Sequence, residues 1–349
     1  MPWTKVAIDN GNARFFSGSA DHSRQKRPIT YGQALKEALS QALKRDERVF
    51  VMGEGVDDTG GIFGSTLDLH KKFSARVFDT PIAENALTGI ATGSALSGMR
   101  PVLVHMRMDF MLLSFDQILN HAAKVCYMSG GKVSAPLVIR SIIGKGWGSA
   151  AQHSQSLQGL FLHMPGIKVV MPTSAYDAKG LLLSSIADDN PVIFIEHRWL
   201  YDITDDVPEE EYLIPLGKGV RRKEGKDITV VATSLMVLEA FKAQEQLSAE
   251  GIEMEIIDPR TLNPLDEELI ADSVKKTGKL IIADTGCQTG GFASEVAARI
   301  SGKYFEYLKA PIARVCAKDC PIPASFVLEN YYYPNSKNIV EAAKKVCSR

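Results

Sequence analysis

The sequence predicts an α/β protein built from two doubly wound domains, and three observations carry that expectation. The chain has 349 residues, more than one hydrophobic core usually serves. Short continuous apolar runs, such as Val49-Phe50-Val51-Met52 and Val192-Ile193-Phe194-Ile195, have the character of strands buried on both faces. These runs alternate with helical patterns, which is the order of a parallel sheet covered on both sides.

In chain order, residues 1–27 are polar, lack an apolar signal core and read as a flexible arm. Arg14-Phe15-Phe16-Ser17 gives a faint transit-peptide character that Asp9 and Asp21 oppose. Residues 29–43 form an amphipathic helix with Thr30 as N-cap and Ala34, Leu35, Ala38, Leu39 and Ala42 on one stripe. The first α/β domain, residues 28–203, takes further strands at 102–104, 137–139 and 169–171 and helices at 86–98, 113–127 and 176–187. Residues 204–225 hold Pro208, Pro215, Gly217, Gly219 and Glu209-Glu210-Glu211 and read as a linker. The second α/β domain, residues 226–349, takes strands at 228–232, 254–257, 280–283 and 313–315. Its helices are expected at 235–250, 266–275, 292–300 and 338–346.

Composition narrows the function. A net charge of −1 offers no basic surplus for nucleic acid and no acidic solvating tail. No run of about 18 apolar residues exists to span a membrane. Five cysteines at irregular spacing are not a disulfide framework and read as reduced intracellular thiols. Cys316 and Cys320 lack a second pair at zinc spacing.

Open α/β sheets bind ligands at the carboxyl ends of their strands. Asp79-Thr80-Pro81-Ile82-Ala83-Glu84 places an acid where a strand ends and a helix begins. Taken alone, Glu84 is a helix-start carboxylate that favours the helix dipole. Met106-Arg107-Met108-Asp109-Phe110 follows another strand, where Phe110 would ordinarily be core and Arg107 could pair with Asp109 or bind a substrate carboxylate or phosphate. Gln152-His153-Ser154-Gln155 follows the Gly-rich stretch 144–148, whose spacing fits neither a P-loop nor a dinucleotide fingerprint and suggests a closing loop. An isolated His153 is most simply structural. Glu54 and Asp116 are most simply surface or helix carboxylates, and Asp188-Asp189-Asn190-Pro191 an ordinary turn.

Together, from about residue 29 to the C-terminus, these segments resemble the β subunit of the thiamine-diphosphate-dependent 2-oxo acid dehydrogenases, the E1β or transketolase-like pyrimidine-binding family. Ser129-Gly130-Gly131 and residues 258–266 support the resemblance independently. It implies a transketolase pyrimidine-like domain followed by a transketolase C-terminal-like domain. By similarity, Glu84 hydrogen-bonds N1′ of the cofactor's aminopyrimidine, which is acid–base chemistry through a conjugated ring. Phe110 packs on that ring, and Glu54 and Asp116 line an acidic channel. His153 positions substrate and shuttles protons during acyl transfer, a role that suits histidine as a residue type because an unperturbed imidazole titrates near neutrality. Backbone carbonyls of Leu137, Ser185, Asp188 and Asn190 would hold a potassium ion. Two departures stand out. Leu113 replaces the family's usual Gln near the cofactor, and Arg107 brings charge where members commonly carry an uncharged Thr-Phe-Asn-Phe-like segment.

The family's metal half, a Gly-Asp-Gly segment with an Asn some way downstream, does not occur; Ala283-Asp284-Thr285-Gly286 lacks the partner. Mg²⁺ and the diphosphate are therefore expected on a separate α subunit in an α₂β₂ heterotetramer. A β–β contact would come from the C-terminal domain, and exposed apolar surface is expected on the isolated chain. The activity implied is oxidative decarboxylation of pyruvate or a related 2-oxo acid, such as a branched-chain one, with acyl transfer to a lipoyl-bearing E2, acetoin being a further candidate substrate, in bacterial cytoplasm or alternatively the mitochondrial matrix. The alternatives are a split transketolase-like or acyl-transferring enzyme without a lipoyl partner, and a non-catalytic scaffold for an α partner.

Overall fold

The computed structural model describes residues 7–8, 26–144 and 148–348. The chain divides into two compact units, one of Met1–Ile143 with Phe161–Leu216, the other of Gly144–Leu160 with Gly217–Arg349. Most of the expected arm, with Arg14-Phe15-Phe16-Ser17, lies outside the described residues, as do Lys145, Gly146 and Trp147 of the Gly-rich loop.

In the first unit, strand β1 (Lys26–Thr30) leads into helix α1 (Tyr31–Arg45). The Thr30 side chain accepts from the Gln33 amide at 3.2 Å, and the Gln33 side chain accepts from the Thr30 amide at 2.9 Å, a reciprocal capping box. The helix starts two residues later than the apolar pattern suggests, because Ile29 pairs antiparallel with Asp205 of strand β8 (Thr204–Pro208). That pairing corrects the linker as well: residues 204–208 are sheet, and their backbone groups are satisfied there. The α1 stripe from Ala34 to Ala42 is fully buried and packs on helix α3 (Ala175–Ala187).

The first unit contributes six parallel strands to its sheet: β2 (Val49–Gly53), β3 (Val77–Asp79), β4 (Arg100–His105), β5 (Val138–Ile143), β6 (Lys168–Val170) and β7 (Val192–His197). Their order is β6-β7-β5-β4-β2-β3. The apolar runs occupy β2, β4, β5, β6 and β7 as expected. Inside the sheet, Arg140 donates to both oxygens of Glu196 at 2.6 and 2.9 Å, and to Ser65 Oγ at 2.9 Å, while the Tyr201 hydroxyl donates to the same carboxylate. A buried ion pair of this kind is tolerated because both partners find hydrogen bonds.

The helix expected over 113–127 is instead broken into a 3₁₀ turn (Leu112–Ser114), a π-helical segment (Asp116–Ala122) and a short helix (Val125–Met128). The wider π turn forms where Gln117 lies against Gly89 of helix α2 (Glu84–Leu96), a spot where a Cβ would come within 3.2 Å of its amide oxygen.

The second unit has the sheet order β9-β11-β10-β12-β13, with β9 (Val220–Lys223), β10 (Ile228–Ala232), β11 (Met254–Asp258), β12 (Leu280–Cys287) and β13 (Ala313–Ala317). The antiparallel edge strand β9 lies within the stretch read as linker. Helices α4 (Leu235–Ser248), α5 (Glu267–Thr277), α6 (Phe292–Lys303), α7 (Phe326–Tyr332) and α8 (Ser336–Cys347) follow the expected pattern, α7 being additional. Phe326, Val327, Leu328 and Tyr331 are exposed on α7. All five cysteines are free thiols. Among the described residues, no helix is long and apolar enough to cross a membrane.

Candidate active site

The first unit brings three strand ends level. Gly53 closes β2 and stands in register with Asp79 of β3 on one side and Val104 of β4 on the other. Its φ is +145°, and a Cβ there would lie 2.3 Å from the Val104 carbonyl oxygen, so only glycine fits. Glu54 follows directly. The next turn is pinned by the Gly55 amide, which donates to Asp79 Oδ1 at 2.7 Å.

Glu84 opens α2 and is 6% exposed. Ala83, at the cap position, makes no side-chain cap bond. Among the described residues, no side chain hydrogen-bonds the Glu84 carboxylate. Burial pushes the Glu54 carboxyl up, and the Glu84 and Asp79 carboxylates push it further the same way. The sheet edge therefore gathers Glu54, Asp79 and Glu84 into one electrostatic group. Asp57, Asp58 and Asp79 form an exposed acidic trio beside it that the sequence reading did not single out.

Behind Glu84, the Thr88 hydroxyl lies 2.7 Å from the Glu84 carbonyl, 2.9 Å from Ser114 Oγ and 3.3 Å from His105 Nε2. One hydroxyl thus ties α2 to the end of β4 and to the turn that carries Leu113. Burial lowers His105 to about 4, so the ring is neutral at pH 7. His197 is likewise lowered by burial, to about 3, and its Nδ1 accepts from the Trp199 amide at 3.2 Å.

The segment after β4 caps a short helical turn, Met108–Met111, with Arg107 at its start. Arg107 is 8% exposed and Phe110 half-buried, whereas Leu113 is 63% exposed. Arg198 follows β7 at the same edge of the sheet; its guanidinium stacks over the Phe63 ring at 4.1 Å. Burial lowers the Arg198 pKa, and the Arg107 charge lowers it further. The strand-end rule that pointed to Arg107 could have pointed to Arg198; nothing in the sequence could have marked His105 or Thr88 as a pair.

The remaining expected residues lie elsewhere. Asp116 is exposed on the π-helical segment, where Oδ1 accepts from Asn120 at 2.8 Å and Oδ2 lies 3.5 Å from His121 Nε2. Around 185–190, Arg100 donates to the Ile186 and Asp188 carbonyls at 2.9 Å and to Asp189, Lys168 pairs with Asp188, and the Leu137 carbonyl accepts from Val192. His153 is exposed and belongs to the second unit, on the segment 148–160.

A two-domain α/β chain whose first sheet lifts a buried acid to its carboxyl edge belongs to the class of transketolase-like proteins, and comparison with known proteins agrees. Residues 27–204 match the transketolase pyrimidine binding domain and residues 217–339 the transketolase C-terminal domain. A solved split-gene transketolase, an inactive β4 tetramer, superposes with a TM-score of 0.76 at 25% identity over 92% of this chain and 98% of that one. The β subunit of acetoin:2,6-dichlorophenolindophenol oxidoreductase from Cupriavidus necator is 43% identical over 91% of this chain and 97% of its own. The pyruvate dehydrogenase E1 β subunits of Rhizobium meliloti and of Dictyostelium discoideum mitochondria are each 42% identical. They cover 91% and 92% of this chain and 70% and 92% of their own. The chain belongs to the E1β family of thiamine-diphosphate-dependent 2-oxo acid dehydrogenases.

Proposed function

We propose that this chain supplies the aminopyrimidine half of a thiamine diphosphate site and completes it with an α subunit in an α₂β₂ assembly. The observation that carries this is Glu84: buried, opening a helix, within electrostatic reach of Glu54, and without a hydrogen-bonding side chain among the described residues. A carboxyl group so placed offers its oxygens to a ligand nitrogen. Phe110 gives the ring an apolar wall, and Leu113 replaces a polar contact with apolar surface. The acidic trio Asp57, Asp58 and Asp79 suits a diphosphate poorly, since it adds charge of the same sign. The Mg²⁺ and diphosphate half is therefore assigned to α.

Thiamine diphosphate, when bound, supplies a carbon nucleophile and an electron sink for decarboxylation. Glu84 holds or moves the proton at the pyrimidine nitrogen, Glu54 is the acidic group beside it, and the exposed Asp116 is proposed for the outer part of the acidic channel. Arg107, near Arg198, favours a substrate bearing an anionic group, as every 2-oxo acid does. His153 serves acyl transfer to a lipoyl-bearing E2, so His153→Ala spares decarboxylation more than acylation; equal loss of both would remove that role. Pyruvate, which bears that anionic group, is the first substrate to test and neutral acetoin the second, given the named relatives. The carbonyls of Leu137, Ser185, Asp188 and Asn190 are proposed for potassium, since a backbone carbonyl has two lone pairs and can take a cation beside one donor. The exposed apolar side chains of α7 suit a β–β contact.

Calorimetry of thiamine diphosphate with Mg²⁺ tests the division of labour. The expected result is binding only when the co-encoded α subunit is present. Tight binding to this chain alone would overturn the half-site.

A further inference from the structure

The segment 148–160 leaves the first unit after β5 yet is part of the second. Its anchor is a buried polar junction. Gln158 is 1% exposed, and its Nε2 donates to Asp284 Oδ1 at 2.8 Å. Asp284 is wholly buried one residue beyond Ala283, the last residue of β12 paired with β10, and its Oδ1 also accepts from the Thr233 hydroxyl at 2.6 Å, just past the end of β10. Strands β10 and β12 are neighbours, so the junction lies where the strand order of this sheet reverses.

Two further contacts hold the segment. Gly159 packs against Gly290 and Gly291 at the start of α6, where an added Cβ would lie 3.2 Å from the Gly291 Cα. Tyr333 hydroxyl donates to the Ser154 carbonyl at 3.4 Å. Gly286 brings the chain close to the junction: a Cβ there would come within 2.9 Å of both Asp284 Oδ2 and Gln158 Nε2. Burial raises the Asp284 carboxyl, while Thr233 and Gln158 oppose the rise.

We infer that Asp284 and Gln158 are positioning residues: together they fix the segment that presents His153, so that a carboxyl group in the C-terminal domain sets the placement of a group used in acyl transfer. The inference rests on the reading of His153 above. A buried amide–carboxyl bond is suited to this task. It is directional, and leaving either partner unmatched carries the full desolvation cost of the other. Its location explains why the segment groups with the second sheet although the chain delivers it from the first.

The test uses the α₂β₂ complex with variants Gln158→Leu, Asp284→Leu, the double variant, the conservative Asp284→Asn and, separately, His153→Ala. Hydrogen exchange of residues 148–160 reports the tether without reference to activity, and exchange of β10 and β12 reports the fold. Expected results are faster exchange of the segment in Gln158→Leu with the strands unchanged and no further gain in the double variant. Turnover should fall roughly tenfold to a hundredfold through kcat, with KM changed much less. Asp284→Asn keeps an oxygen acceptor for both donors and should restore both readouts towards wild type. Unchanged exchange and kcat in Gln158→Leu would overturn the tether, whatever His153→Ala does. Should Asp284→Leu disturb the strands, Gln158→Leu and Asp284→Asn decide alone. Normal turnover in His153→Ala would overturn the reading of His153 itself and is distinguishable, because segment exchange in the Gln158→Leu variant is measured independently.

Discussion

The two sheets of this protein put carboxylates in the same topological place and use them in opposite ways. At the edge of the first, Glu84 and Glu54 are close enough to feel each other's charge, and no side chain among the described residues hydrogen-bonds Glu84. At the edge of the second, Asp284 is fully enclosed and takes hydrogen bonds from Thr233 and Gln158. The lesson is that strand-end position licenses a ligand site without making one. What decides is whether the protein's own side chains already bond the group, as Thr233 and Gln158 bond Asp284 Oδ1.

The sharpest way to break this comparison is Glu84→Gln. If the open acid is the reactive one, the αβ assembly stays intact while turnover falls by about 10²–10⁴. Steady-state kinetics on the reconstituted complex checks it, and near-normal turnover would place Glu84 with Asp284 as a structural acid. Next in size is Gly53→Ala. The added Cβ meets the Val104 carbonyl at 2.3 Å, so the level edge should distort and stability should drop by about 2–4 kcal/mol in denaturant melts.

A smaller, pH-dependent effect concerns His105. Its folded pKa, about 4, lies below the ordinary 6.5 because burial disfavours the charged ring. Below 6.5 the unfolded chain binds the extra proton while the fold does not. Stability from the neutral ring is thus complete above pH 6.5 and is lost as pH falls towards 4. His105→Gln should flatten the slope of unfolding free energy across that window, and an unchanged slope would refute the assignment. Smallest is Glu54→Gln. Because burial and like charges disfavour ionised Glu54, its removal should raise the melting temperature slightly at pH 7 and hardly at pH 4, where the native carboxyl already keeps its proton.

Much of the architecture was legible because strands buried on both faces show as apolar runs, and these held for β2 and β7 with only their ends extended. The capping of α1 was legible too, since Thr30 and Gln33 are close in sequence. The edge strand β9 was not: Val220-Arg221-Arg222-Lys223 has no apolar run, because an edge with one exposed side needs none. The ribbon of β1 with β8 joins segments far apart in the chain, and local pattern carries no trace of it. At the site, Glu84, Phe110 and Arg107 announced themselves by following strands. The junction of Gln158 with Asp284 spans 126 residues and could come only from the fold.

That separation has a consequence for how the protein is made. Residues 148–160 leave the ribosome well before Asp284 does, so their docking partner does not yet exist when they emerge. At roughly 5–20 residues per second, the wait is on the order of ten seconds. During it, strands β2 to β7 can assemble while the segment still waits for its berth. The nascent chain must therefore keep an exposed histidine-bearing loop uncommitted through about a third of its synthesis, 126 of 349 residues, until the second sheet seals it.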